Sequence, residues 1–412
     1  MSSVLAMVLA GGRVDELLCL TEHRPKSALP VFATYRIIDF VLSNLMHSGI
    51  NNVGVLSQYR PYALVRHIGT GEHWDFVGRS RNIRMLPPYR GFKASDWYKG
   101  TADAVYQNIS YIEGFKPQYV LIASADHIYR MDYRPFIKFH IENNADATIS
   151  FTRRKSRSSR FGYGVIGRGG RLRNYQEKPS KPPSDWVSMT LYLFNCDFLI
   201  DVLNRNAKEE SHEFGRDIIP NIISTARVFG YKHEGYWAYA RTVDSYYNTN
   251  MDMINSGTTL KDWQIRTNLL ERSARADRLP AYINGDVVNS VVSEGCIVEG
   301  KVRNSILSPG VIVQDNAEVV DSIIFHDTVI GKNTMMQKVI CDKDSRIGEG
   351  CSIGGFGKQT VSREFGDLLH SGIILFGRNT VVPDKTRIGA NTTVYSSARI
   401  SARCVDPGST LR

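Results

Sequence analysis

Five short stretches of this 412-residue chain carry side chains able to handle a phosphorylated ligand. In Leu9-Ala10-Gly11-Gly12-Arg13, paired glycines let backbone N–H groups approach phosphate oxygens or a purine base with no Cβ in the way, although an ordinary turn uses the same pair. Arg24 and Lys26 follow in a polar loop. Trp97-Tyr98-Lys99-Gly100-Thr101-Ala102-Asp103 joins an aromatic pair to a glycine turn, and Thr101 and Asp103 equally suit the cap of a helix continued by Ala104 and Val105. Asp126 closes the strand-like run that begins at Tyr119, where a carboxylate meets a ligand in the crevice above a parallel sheet. Beside phosphate oxygens, one such group suits Mg2+; the competing reading is a turn aspartate. Glu177-Lys178-Pro179 offers a carboxylate and an ammonium in what, taken alone, is an exposed turn.

Two kinds of scaffold hold these stretches. Up to residue 250, apolar runs (Val4 to Ala10, Val53 to Ser57, Tyr119 to Ala123, Ala147 to Phe151) alternate with helical stretches, the α/β pattern of a mostly parallel, Rossmann-like sheet. Between the first two runs, Ile38, Val41, Leu42 and Leu45 recur at helical spacing within Tyr35 to Ser48. Residues 251–280, with Trp263, Ile265, Leu269 and Leu270, read as a helical connector. From 281 to 412 the period becomes six: Phe376, Val382, Ile388, Val394 and Ile400, with Val313 and Val319, and Ile347 and Ile353, in the same step. Such hexads predict a left-handed parallel β-helix, each unit supplying a short strand and a corner; short antiparallel strands in a sandwich are the alternative. Gly331, Gly348 and Gly389 fit corners where a side chain would collide or φ must be positive, and 355–372 reads as a protruding loop.

Composition narrows the partners. The net charge of +10 suits anionic ligands, yet Lys and Arg are scattered, with no basic tail or nucleic-acid motif, so small phosphorylated molecules fit better than nucleic acid. Cysteines 19, 196, 296, 341, 351 and 404 lack disulfide-framework or zinc spacing, as expected in a reducing cytoplasm. The apolar start is too short to span a membrane.

Read in order, LAGGR, YRIIDFVLSN, GVLSQY, DWYKGTADAV, ADHIYRMDY, YQEKPS and SHEFGRDIIP resemble the sugar-1-phosphate nucleotidyltransferases, most closely the glucose-1-phosphate adenylyltransferases. The resemblance implies transfer from ATP to glucose 1-phosphate with Mg2+, yielding ADP-glucose for glycogen or other α-glucan synthesis. It implies that Leu9, Ala10, Gly11, Gly12, Gly100 and Thr101 hold the nucleotide, that Lys26 contacts phosphate, and that Asp126 binds the metal. Tyr98, Gly164, Glu177, Lys178 and Ser188 match positions that hold the sugar phosphate, while Gln58 and Trp97 match positions tied to regulation by anionic metabolites. A homotetramer, or a hetero-oligomer with a related subunit, is implied as well.

Two positions depart from the family pattern. Where an arginine is expected to face the triphosphate, the chain has Glu16, in Val14-Asp15-Glu16-Leu17; at ~5 Å and an effective dielectric of ~20, a carboxylate repels each phosphate charge by about 3 kcal/mol. Tyr239 stands where the pattern carries a second metal-binding aspartate, and a phenol is a poor magnesium ligand. These departures motivate the alternatives of a regulatory, ligand-sensing subunit and of a transferase using another nucleotide or sugar 1-phosphate.

Overall fold

The computed structural model describes residues 4–12, 14–89, 97–154, 158–255, 260–268, 279–355, 360–396 and 398–412. By internal contacts the chain divides into two compact units, Met1–Gly12 with Ile38–Ala238 and Arg13–Ile37 with Tyr239–Arg412. The segment 13–37 therefore groups with residues far ahead of it, a division that boundaries drawn in sequence order at 250 and 280 do not express.

The first unit is built on a nine-stranded sheet. In chain order its strands are β1 (Val4–Leu9), β2 (Asn52–Leu56), β3 (Asn82–Leu86), β4 (Tyr119–Ser124), β5 (Ala147–Arg153), β6 (Gly162–Ile166), β7 (Leu172–Glu177), β8 (Trp186–Asn195) and β9 (Val228–His233). They lie in the order β7-β6-β8-β4-β1-β2-β3, with β5 paired to β8 and to β9. The half formed by β3, β2, β1 and β4 is parallel throughout, whereas β8 runs antiparallel to β4, β5 and β6. Leu5, Ala6, Met7 and Val8 are all buried, the signature of a strand covered on both faces. Ile38, Val41, Leu42 and Leu45 are buried too, as their spacing requires. Their helix runs Ile37–His47, shorter than expected, because Tyr35–Arg36 pairs with Pro30–Val31 instead.

In the second unit, short strands stack into three parallel sheets of six, seven and seven strands, the faces of a left-handed β-helix. The described pairings between coils are all parallel, which removes the antiparallel sandwich. Every hexad residue named above is buried, and all belong to one apolar core. A Cβ on Gly331 would come within 2.6 Å of the Gly348 backbone, and one on Gly348 within 2.6 Å of the Asp384 nitrogen. Neither glycine has a positive φ, so close coil stacking explains them, while asparagines and aspartates such as Asn316 and Asp327 take the left-handed corners. Between Val339–Cys341 and Ile374–Phe376, which pair directly, the chain detours through the expected loop; residues 356–359 lie outside the described set. The helix Val243–Asn255 starts before the expected connector and runs into it, Leu260–Trp263 is a second short helix within it, and Leu269 and Leu270 lie outside the described residues. No helix among the described residues is long and apolar enough to cross a membrane.

Candidate active site

Parallel β1, β2 and β4 end along one edge of the first unit, and their loops carry the first group of expected residues. Ala10 N–H donates to the Leu56 carbonyl (2.8 Å), Tyr59 N–H to that of Gly11 (3.1 Å) and Ala125 N–H to that of Leu9 (2.9 Å), so the three loops are bound together. A Cβ on Gly11 would sit 2.7 Å from the Gln58 nitrogen, a backbone atom unable to yield; Gly12 has open space. Gly11 is thus required by the neighbouring loop, and Gly12 gives the open backbone expected for a ligand. Gln58 grips the main chain of Tyr98, whose hydroxyl donates to the Leu86 carbonyl (2.9 Å). Trp97, beside it, is 65% exposed.

Asp126 occupies the two-residue turn between β4 and His127–Tyr129. Its carboxylate accepts from the Ser124 hydroxyl and lies 3.3 Å from His127 Nε2. His127 Nδ1 donates to the Met189 carbonyl (2.7 Å), coupling this turn to the β8 irregularity that contains Ser188. Asp126 is partly exposed, at 28%. Among the described residues no group of three or more His, Cys, Asp or Glu gathers to hold a metal. One hard, accessible carboxylate therefore fits a divalent cation whose other ligands are phosphate oxygens and water.

The expected sugar-phosphate residues surround the end of β7. Glu177 accepts from the Tyr175 hydroxyl (2.9 Å), and a Cβ on Gly162 or Gly215 would come within 2.6 or 2.4 Å of the same carboxylate oxygen. Burial pushes the Glu177 carboxyl above its usual range; the Tyr175 hydrogen bond and Lys178 pull it back, and Glu213 pushes it further up. Ser188 is buried, and its hydroxyl oxygen accepts from Thr190 N–H (3.3 Å). Lys178 is exposed, with φ at +49°, and its N–H donates to the Phe161 carbonyl (3.0 Å). Gly164 leaves room for the Phe151 ring, which a Cβ would meet at 2.4 Å. Gly100 and Thr101 lie against the segment His212–Phe214: Thr101 donates through Oγ1 and N–H to Glu213 (2.5 and 3.2 Å). Asp103 accepts from Lys99 N–H (2.8 Å), whereas the N-cap of its helix is Gly100, with no side-chain cap from Thr101 or Asp103.

Lys26 belongs to the second unit, where it is buried with its ammonium 4.1 Å from the centre of the Tyr239 ring. Arg241 joins both departures from the family pattern. Its Nε donates to Glu16 Oε1 (2.8 Å) and its Nη1 to the Tyr239 hydroxyl (3.1 Å). The Glu16 charge is thereby matched within the unit, which removes the isolated repulsive carboxylate expected from sequence. Arg24 donates to Asp342 (2.6 Å), both buried. Burial, Arg36, Arg24 and Arg378 bring the adjacent Lys343 down to about 8, with Asp342 opposing them.

Sequence reasoning passed over Tyr175, Glu213 and Arg241. For Arg241 a signal existed, since a charge reversal at position 16 calls for a new cation, but the partner lies 225 residues away.

Comparison with known proteins bears on the whole chain. Residues 5–256 match the nucleotidyl transferase family model and 274–376 the GlmU-like C-terminal hexapeptide model. A glucose-1-phosphate adenylyltransferase of Fervidobacterium nodosum is 38% identical, over 98% of each chain. Those of Acetivibrio thermocellus and Thermomicrobium roseum are 40% and 43% identical, over 95% and 96% of this chain and 92% and 93% of theirs. With both scaffolds matched in order and the relationship running nearly end to end, the chain belongs to the glucose-1-phosphate adenylyltransferase family of nucleotidyl transferases.

Proposed function

We propose that the chain joins ATP to glucose 1-phosphate, forming ADP-glucose and releasing pyrophosphate for α-glucan synthesis. The observation carrying this reading is the bonded set of loops in the first unit that holds Gly11, Gln58, Tyr98 and Asp126 at the parallel strand ends, with His127 bonding the turn of Asp126 to Met189, the neighbour of Ser188. A phosphate oxygen of the sugar attacks the α-phosphorus in line, and the bond to the pyrophosphate oxygen breaks. The protein's task is to position both substrates and offset their charge. Open backbone at Gly12 receives the nucleotide. Glu177 and Ser188 offer hydrogen-bond partners to sugar hydroxyls, Lys178 pairs with the sugar phosphate, and Tyr98 packs beside it. Asp126 would hold a divalent cation, magnesium in our reading, which neutralises phosphate charge when bound.

Regulation has its own support in the second unit. Burial first, and then the charges of Arg36, Arg24 and Arg378, lower Lys343 against Asp342, and an anionic metabolite held near these cations would offset their charge. Gln58 and the exposed Trp97 are the positions we assign to transmitting that response, in a homotetramer or with a related subunit. Six free thiols, five of them buried, accord with a reducing cytoplasm.

Tyr239, in place of a second metal-binding aspartate, favours one other reading, a ligand-sensing subunit with little catalysis of its own. Pyrophosphate release with Mg2+, glucose 1-phosphate and each of ATP, GTP, UTP and dTTP separates the two. Release with ATP that disappears in Asp126→Asn is the expected outcome. Silence with all four, alongside measurable ATP binding, selects the sensing subunit, and release with a different nucleotide alone reassigns the donor.

A further inference from the structure

Asp126, His127, Trp237, Arg154, Phe161 and Lys178 form a continuous line of contacts inside the first unit. The His127 ring, whose Nε2 lies 3.3 Å from the Asp126 carboxylate, meets the Trp237 ring edge-on, with 5.1 Å between ring centres. Arg154 follows directly on β5. Its guanidinium carbon sits 5.5 Å from the centre of the Trp237 ring and 5.6 Å from that of Phe161. The Phe161 carbonyl in turn accepts from Lys178 N–H (3.0 Å), which ties the second ring to the residue expected to meet the sugar phosphate.

Contact with an aromatic face holds a guanidinium by its charge and occupies none of its five N–H donors. The Arg154 side chain has no hydrogen-bond or ion-pair partner among the described residues. Its backbone N–H donates to the Asp185 carbonyl (2.9 Å), but the Asp185 carboxylate lies 3.9 Å from the neighbouring Arg153 instead. Arg154 is half-buried, so its donors reach a ligand, while the two rings restrict where the side chain can go. Lys178 is exposed and likewise makes no ion pair among the described residues. Two cations joined through Phe161, both without a counter-charge in contact, suit a ligand that brings several anionic oxygens. A phosphate does so, and a guanidinium held in advance loses less freedom on binding it.

We propose that Arg154 binds the phosphate of the sugar phosphate together with Lys178, and that Trp237 and Phe161 position it. This rests on the nucleotidyltransferase reading and adds a phosphate-binding residue to it.

Calorimetric titration of the full chain with glucose 1-phosphate and with ATP, without divalent cation, tests the proposal on Arg154→Met, Arg154→Lys, Trp237→Leu and the double variant. Methionine keeps an apolar stem against the rings and removes the donors. Charge-assisted hydrogen bonds of ordinary strength predict that Arg154→Met weakens glucose 1-phosphate binding by about tenfold to a hundredfold. Inorganic phosphate, added as a competitor of glucose 1-phosphate, weakens by the same factor. ATP binding stays unchanged, which also reports an intact fold. Arg154→Lys gives an intermediate loss. Trp237→Leu gives a smaller loss that disappears in the Arg154→Met background, because a positioning ring has nothing left to position. The proposal is overturned if Arg154→Met binds glucose 1-phosphate as tightly as the unaltered chain, or if it loses ATP to the same extent. Undiminished competition by phosphate overturns it too, as does a Trp237→Leu loss of the same size in both backgrounds. An unaltered chain that binds no glucose 1-phosphate removes this proposal together with the transferase reading. Unresponsive variants of a chain that still releases pyrophosphate remove this proposal alone.

Discussion

Glu177 shows how the ligand-binding role proposed for it would conflict with stability at one residue. Its carboxyl is half-buried against Tyr175 and two glycines, and its proton affinity is raised accordingly. A raised carboxyl favours the fold while protonated, and that contribution is lost as pH climbs from the unfolded value, about 4.3, through the folded one. Glu177→Gln should therefore melt at a higher temperature than the unaltered chain at neutral pH, with the difference vanishing near pH 4; melts across that range check it, and a constant difference would contradict it. The residue illustrates what could be read in advance. Glu177 and Lys178 were singled out by resemblance, because the local word YQEKPS that contains them is intact. Glu213 was missed because its hydrogen bond to Thr101 spans 112 positions and no local pattern announces it.

At the scale of elements, the hexad period exposed the β-helix because each coil repeats the same burial requirement, and Phe376 through Val394 occupy the core as the period demands. The same pattern could not say that residues 13–37 pack with this unit, since a short helical turn and a hairpin carry no mark of which core they join. Their attachment is specific: Arg24 meets Asp342, Asn250 accepts from Phe32 N–H (2.9 Å), and Ser308 donates to the Ala33 carbonyl (2.8 Å). Breaking a buried ion pair from one side leaves a charge stranded, so Arg24→Ala should cost about 3–5 kcal/mol in denaturant unfolding. Arg24→Met with Asp342→Leu should recover most of that loss. A double variant as unstable as the sum of the two single ones would show that the pair is not coupled.

At the scale of the whole molecule, the proposed anion site of the second unit would link ligand binding to pH through Lys343. Lys343 at about 8 lies below the unfolded lysine value of about 10.4, so the penalty on its charged form is complete below pH 8 and is relieved as pH rises between the two values. In the proposed site, an anion seated beside Lys343 would offset the part of that depression due to Arg36, Arg24 and Arg378. Binding of a sugar bisphosphate near pH 8 should then take up protons, and binding at pH 6 should not. Titration heats at pH 8 that scale with the ionisation enthalpy of the buffer are the expected signature; identical heats in all buffers would detach Lys343 from the ligand. The interleaved division of the chain also bears on synthesis. Arg24 leaves the ribosome 318 residues before its partner Asp342, an interval of about 16 to 64 seconds at ordinary elongation rates. During that time Leu17, Leu18, Leu20, Leu29 and Phe32, all buried in the finished unit, have no completed core to enter. A fragment beginning at Tyr239 would lack them altogether, so the β-helix unit is not separable by a single cut.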